Sequence, residues 1–238
     1  MSPPSEPLGP RAEAVVFDMD GLLVDTEQIW GRAQTVVFDE IGVDVRPLLG
    51  SGLVTGMRAD EAVGLFRERL GFAGPSDHEL AARVIGRVIA AIPDEAHLLP
   101  GALESLEFCE RNGLAVALAS GSVEPVIDAV LARLRLRDRF NAVVSASAVE
   151  IGKPHPAVLL LTAARLGVEP AGCVVVEDAL NGCIAAKAAR MRVVAVPEPG
   201  TECDPRWVLA DVIIDSLGEF AGPKVSALLG LTPVGRES

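Results

Sequence analysis

Apolar residues fall into two rhythms along this chain. Short unbroken runs recur as AVVFD (14–18), LAVALAS (114–120), AVVSAS (142–147), CVVVED (173–178), RVVAVP (192–197) and VIID (212–215). Runs of this length, rich in Val and Ala and closed by polar residues, Gly or Pro, read as strands buried on both faces. Between them the spacing turns helical. Residues 102–112 carry Leu103, Leu106 and Phe108 and stop at Gly113, a C-cap signal. Residues 123–134 repeat Val126, Ile127, Val130, Leu131 and Leu134, 156–166 open with Pro156, and 179–190 are Ala-rich with Gly182 interrupting. Strands alternating with helices predict an α/β fold, a doubly wound (Rossmann-like) parallel sheet.

One stretch breaks the alternation. Residues 28–97 hold no clear strand and predict helices near 27–41, 57–70 and 77–91. The expected organisation is therefore an α-helical cap at 27–97 inserted into a core formed by 13–26 and 98–225. Joints fall near Gly21–Thr26 and Pro93–Gly101. A Pro-rich, disordered lead-in (1–12) and a tail (226–238) complete it.

Composition narrows the function. Half the residues are apolar and 4% are aromatic, which suits Val- and Ala-rich strands under helices. The net charge of −12 argues against nucleic-acid or membrane-surface partners, which attract the opposite sign. It leaves room for a small anionic substrate. The four cysteines form no C-x-x-C pair, the first residues lack a secretory apolar segment, and no apolar run is long enough to span a bilayer. A reducing, cytoplasmic setting is expected, for a monomer or weak dimer.

The chemistry lies at the ends of the strand-like runs: Asp18 and Asp20, Ser120 and Gly121, Lys153, then Glu177 and Asp178. Each has an ordinary reading alone. Asp-x-Asp-Gly suits a turn, Ser120 a helix cap, Lys153 a surface charge, and Glu177–Asp178 the first turn of a helix. A calcium loop starting at Asp18 would need Gly at its sixth position, where Leu23 stands. In an open parallel sheet, however, ligands bind beyond the carboxyl ends of the strands, so these groups can converge. Together they form a phosphoryl-transfer set. An Asp nucleophile attacks phosphorus, a divalent cation offsets the repulsion between anions, Lys153 adds positive charge, and a Ser-led helix start binds phosphate.

Those motifs resemble the haloacid dehalogenase-like superfamily. VVFDMDGLLVDTE, LASGS, GKPHP and VVVEDALNG match its four motifs in order, over about residues 13–220. The insert resembles the helical cap of the branch that includes β-phosphoglucomutases and sugar phosphatases. AAKAARMRVVAVP, DPRWVLADV and GLVTGMRADEAV are similar to its 2-deoxyglucose- and hexitol-phosphatase group. The resemblance implies Asp18 as nucleophile and Asp20 as acid and base. It implies Ser120, Gly121 and Lys153 as the phosphate cradle, and Mg2+ held by Asp18, Asp20 and Asp178 with Glu177 close by. Arg58 is expected on the substrate, and Trp30 is open between a sugar contact and core packing. The mutases place His at the Trp30 position and usually Asn at that of Glu124, which favours hydrolysis over a phosphosugar mutase. A catalytically inactive binding module is a further alternative, opposed by the presence of all four motifs. Ala179 stands where the family often has Ser.

Overall fold

The structure is a computed structural model that describes residues 10–198 and 200–231. Six parallel strands are β1 (Ala14–Phe17), β2 (Ala115–Ser120), β3 (Ala142–Ser145), β4 (Cys173–Glu177), β5 (Arg192–Ala195) and β6 (Val212–Ile213), in the order β3-β2-β1-β4-β5-β6. Every strand matches one of the apolar runs. The first strand lies at the centre, and the chain winds outward from it in both directions.

Alternation along each strand divides the core in two. On one face Val15, Phe17, Val116, Leu118, Val174 and Val176 pack under helices α5 (Ala102–Arg111) and α6 (Glu124–Leu134). On the other, Ala14, Val16, Ala117, Ala119, Val175 and Val193 meet α7 (Ala157–Leu166) and α8 (Leu180–Ala188). That second face is rich in Ala, which leaves space for the two helices to approach the sheet.

The inserted stretch is helical: α1 (Glu27–Asp39), α2 (Arg46–Leu49), α3 (Ala59–Leu70) and α4 (Asp77–Glu95). Phe38 of α1 meets Phe66 of α3 edge to face at 5.3 Å, over the buried stripe Val84, Val88 and Ile92 of α4. Two features depart from expectation. The four-residue α2 carries no periodic signal, and α4 continues through Pro93 to Glu95, so the second joint begins later than Pro93. The Pro93 carbonyl accepts a bond from Arg133 Nε at 2.7 Å, tying the last turn of α4 to α6. The joints lie side by side. Asp25 N–H donates to the His97 carbonyl and Leu99 N–H to that of Leu23, each at 3.0 Å.

The ends of the core also shift. Residues 1–9 of the expected lead-in and 232–238 of the expected tail lie outside the described residues. Residues 10–12 belong to the core, because Ala12 is buried and its N–H donates to the Leu229 carbonyl at 2.9 Å. A last helix, α9 (Pro223–Leu228), runs across the expected 225/226 boundary, with Val225 and Leu228 buried. Apolar burial of this kind holds both ends to the sheet.

The return from cap to core turns on Gly101, at φ +85°, where a Cβ would lie 2.2 Å from the Gly218 nitrogen and 2.3 Å from the Leu217 carbonyl carbon. Both obstacles are backbone and cannot swing aside. Gly101→Ala is therefore expected to cost about 2 kcal/mol or more, a fall of roughly 5 °C in thermal midpoint. Thermal unfolding followed by circular dichroism checks this, and an unchanged midpoint would contradict it.

Candidate active site

Strand register assembles the centre. Phe17 of β1 pairs with Leu118 of β2 and with Val176 of β4. One residue further along each strand stand Asp18, Ala119 and Glu177, level with one another across three strands. Lys153, from the loop after β3, reaches all three: its Nζ donates to Asp18 Oδ1 at 2.6 Å, the Ala119 carbonyl at 2.9 Å and Glu177 Oε1 at 2.5 Å. The three donors of an ammonium are thus used. Lys153 is 1% exposed, so the reading of it as a surface charge is excluded. Burial would discharge it, but Asp18 and Glu177 outweigh burial and hold its pKa above the ordinary lysine value.

The carboxylates outnumber this one cation. Burial pushes Asp18 up to about 7 against the pull of Lys153, with Glu177 and Asp20 adding to the rise. Asp178 is raised well above the usual carboxylate range by burial and then by Asp18 and Glu177. Oxygens of Asp18, Glu177 and Asp178 lie within 4.8 Å of one another. Asp178 Oδ2 is buried with no hydrogen-bond partner. An orphaned carboxylate oxygen beside two others is a hard-oxygen donor set suited to a divalent cation. Gly21, at φ +77°, lets the chain pass this oxygen, since a Cβ there would come within 2.3 Å of it. The same crowding explains Gly182 in α8, whose Cβ would collide with the Glu177 carboxylate.

Asp20 is held apart from that set. Its Oδ1 accepts from Thr26 Oγ1 at 2.6 Å and from the Trp30 indole N–H at 3.1 Å. Its Oδ2 accepts from Ser122 Oγ at 2.7 Å and Ser120 Oγ at 3.2 Å. The Asp20 carboxylate is therefore occupied and stands outside the donor set, so it does not join the expected metal ligands. Trp30 is tied to Asp20 while still lining the cavity. Ser120 does not cap a helix. It is fully buried, donates to Asp20 and accepts from Ser122 N–H at 3.0 Å. Gly121 and Ser122 are the residues of this strand end that face the cavity.

That cavity, about 270 Å³, opens between core and cap, with Asp18 and Asp20 on the core side and α1 and the 54–57 loop on the other. Arg58 does not line it. Its guanidinium donates to the carbonyls of Val149 and Glu150, both at 3.0 Å, and pairs with Asp60. With those donors used, Arg58 fastens the cap to the loop that carries Lys153. Glu61 adds a second tie by accepting from Gly152 N–H at 2.9 Å. Asn181 of α8 adds a third, to the carbonyls of Leu53 and Thr55. The cap is closed. Sequence reasoning gave no role to Thr26, Ser122, Glu27 or Glu198. Thr26 and Glu27 lie inside the first motif and Ser122 two residues after Ser120. Glu198, in the loop after β5, carries no sequence signal.

A parallel sheet with an acidic cluster and a buried lysine at its carboxyl edge, under a helical cap, defines a class of hydrolase. Residues 12–190 match the haloacid dehalogenase-like hydrolase family, and the chain belongs to it. It is 45% identical to hexitol phosphatase B of Escherichia coli over 207 residues, 87% of this chain and 93% of that one. The fructose-1-phosphate phosphatase of the same organism is 35% identical over 188 residues, 78% and 97% of the two chains. Among solved structures, CbbY from Rhodobacter sphaeroides in complex with phosphate aligns with a TM-score of 0.75 at 27% identity, covering 88% and 96%. The β-phosphoglucomutase of Clostridium difficile gives 0.76 at 25%, covering 87% and 92%. The protein is a phosphoric monoester hydrolase acting on a small phosphorylated substrate. Phosphatases of this family use a divalent metal, and the buried acidic cluster fits one. No helix among the described residues is long and apolar enough to cross a membrane.

The raised carboxylates carry a pH signature. Asp18 rises to about 7 and Glu27, through burial and the charge of Glu198, to about 8. Carboxyls with folded pKa values above their unfolded ones bind more protons when folded, so stability falls as pH rises through that interval. The metal-free protein is expected to lose thermal stability between about pH 5 and 8 and to level off above it. Added Mg2+, which favours the ionised forms, should restore more stability at pH 8 than at pH 5. Melting curves with chelator and with Mg2+ measure both, and an equal metal effect at the two pH values would contradict the assignment.

Proposed function

We propose that this phosphatase hydrolyses a small sugar or polyol phosphate monoester through an aspartyl phosphate on Asp18, with Asp20 as acid and base and Mg2+ as its cation. One observation carries the reading. Asp18 lines the cavity, its Oδ1 is held by Lys153, and its Oδ2 has no hydrogen-bond partner among the described residues. The 45% identity to a hexitol phosphatase supports the substrate class.

In the first step the free Asp18 oxygen attacks phosphorus and the bond from phosphorus to the alcohol oxygen breaks. Asp20 exchanges one of its four donated hydrogen bonds for a proton when the ester binds, and gives that proton to the departing oxygen. In the second, water attacks phosphorus from the vacated side, its proton goes to Asp20, and the Asp18–phosphorus bond breaks to release phosphate. Lys153 anchors Asp18 in both steps, while Gly121 and Ser122 face the phosphoryl group at the start of α6. Asp18, Glu177 and Asp178 would hold the cation, which when bound would offset the negative charge of phosphate and carboxylates. The Arg58, Glu61 and Asn181 ties keep the cap shut, so that bulk water stays out while the ester is bound.

Asp18→Asn keeps the shape but removes the nucleophile. Phosphate release from a panel of sugar and polyol phosphates with Mg2+ should fall by about a thousandfold or more, a loss of about 4 kcal/mol in transition-state stabilisation. Retained activity would refute the mechanism. Trp30→Phe removes one donor to Asp20 while keeping an aromatic ring. The expected result is kcat lower by about tenfold with KM changed less than about threefold, the pattern of a lost hydrogen bond to a catalytic group. A rise in KM alone would make Trp30 a substrate contact instead.

A further inference from the structure

The charged side chains that line the cavity are all acidic among the described residues: Asp18, Asp20, Glu27 and Glu198. Lys153, the cation nearest the chemistry, lies beneath Asp18 and does not reach the cavity. Asp18 and Asp20 have parts in the reaction, but Glu27 and Glu198 have none. They approach from different elements, Glu27 from the first turn of α1 and Glu198 from the loop after β5. After burial, Glu198 is the largest influence on the Glu27 carboxyl, and both side chains line the one cavity. Neither carboxylate has a hydrogen-bond or ion-pair partner among the described residues.

Such a wall restricts what can enter beside the phosphoryl group. A carboxylate that loses water on ligand binding needs donors in exchange, and hydroxyls are donors. A second phosphate or a carboxylate on the substrate brings none. It brings like charge into a site of low dielectric, where repulsion is strong. The other polar side chains of the wall, Gln28, Gln34 and the Trp30 indole, carry no positive charge to compensate.

We propose that Glu27 and Glu198 are specificity residues, accepting hydrogen bonds from the hydroxyls of an uncharged polyol or sugar moiety and excluding substrates with a second anionic group. This rests on the reading of the cavity as the site of sugar or polyol phosphate hydrolysis. The enzyme then stands after a reaction that places one phosphate on a neutral polyol or sugar, and it releases the neutral alcohol.

The test compares kcat/KM with Mg2+ for three substrates: a hexitol monophosphate, a hexose bisphosphate, and p-nitrophenyl phosphate, whose leaving group has no hydroxyl array. The wild type should prefer the hexitol monophosphate over the bisphosphate by about a hundredfold or more. Glu27→Gln and Glu198→Gln should each raise KM for the hexitol monophosphate about tenfold, change KM for p-nitrophenyl phosphate less than about threefold, and narrow the gap to the bisphosphate. Glu198→Lys should narrow that gap further. If all three substrates shift by one common factor in the Gln variants, or if the wild type takes the bisphosphate as well as the monophosphate, the specificity role is overturned. A wild type active on p-nitrophenyl phosphate but on no sugar or polyol phosphate would overturn the substrate class itself.

Discussion

The structure depends on one buried ammonium. Lys153 sits at the carboxyl edge of the sheet with two carboxylates and a main-chain carbonyl within 2.9 Å of its Nζ. A charge at that depth persists only when every donor is matched, and removing one partner from a buried pair costs about 3–5 kcal/mol. The match demands that three strands end level, which parallel pairing of β1 with β2 and β4 provides. A slip of one residue in either pairing would turn Asp18 or Glu177 to the other face and leave the lysine uncompensated. The cap takes part too, because Arg58 and Glu61 grip residues 149, 150 and 152, just before Lys153.

That ammonium does not balance the site. Asp18, Glu177 and Asp178 crowd round it, and one oxygen of Asp178 has no partner at all. A core selected for stability alone would not bury so much charge of one sign. The excess is what a divalent cation and a phosphoryl group with its developing charge require. Asp20 avoids the crowd, because its four donors, Ser120 and Ser122 at the end of β2 with Thr26 and Trp30 at the joint and α1, take up its carboxylate apart from the cluster. Two aspartates two residues apart thus receive different work from different neighbours.

Much of this was legible in the chain. Six apolar runs became six strands, because strands buried on both faces must be apolar throughout. The polar residues that close four of those runs met at one edge, as parallel topology requires. What the chain did not disclose lies where partners are main-chain atoms or distant loops. The guanidinium of Arg58 was expected on substrate, yet it bonds to carbonyls some 90 residues away, which no spacing encodes. Ser120 was expected on phosphate, but its hydroxyl is spent inside the site and its neighbours face the cavity. Glu198 lies between two prolines in the loop after β5, without periodicity, so its place beside Glu27 on the cavity wall exists only in three dimensions. Pro93 was read as a break, but the packing of α4 against α1, α3 and α6 carries the helix past it.

The hinge side of the cap joins substrate enclosure to proton transfer. Thr26, Glu27 and Trp30 occupy the joint and the first turns of α1, within a span of five residues. Two of them hold Asp20 and the third lines the cavity wall. A rotation of α1 away from the core would therefore take the Trp30 indole N–H from Asp20 Oδ1 and carry Glu27 off the cavity wall it shares with Glu198. In the proposed reaction this one arrangement sets the acid and completes the wall that would read hydroxyls. A substrate that failed to satisfy that wall would then fail to hold α1 against the core, and with it the placement of the proton donor. On that reading specificity becomes a condition on catalytic geometry, because the elements that would read the alcohol are those that hold Asp20.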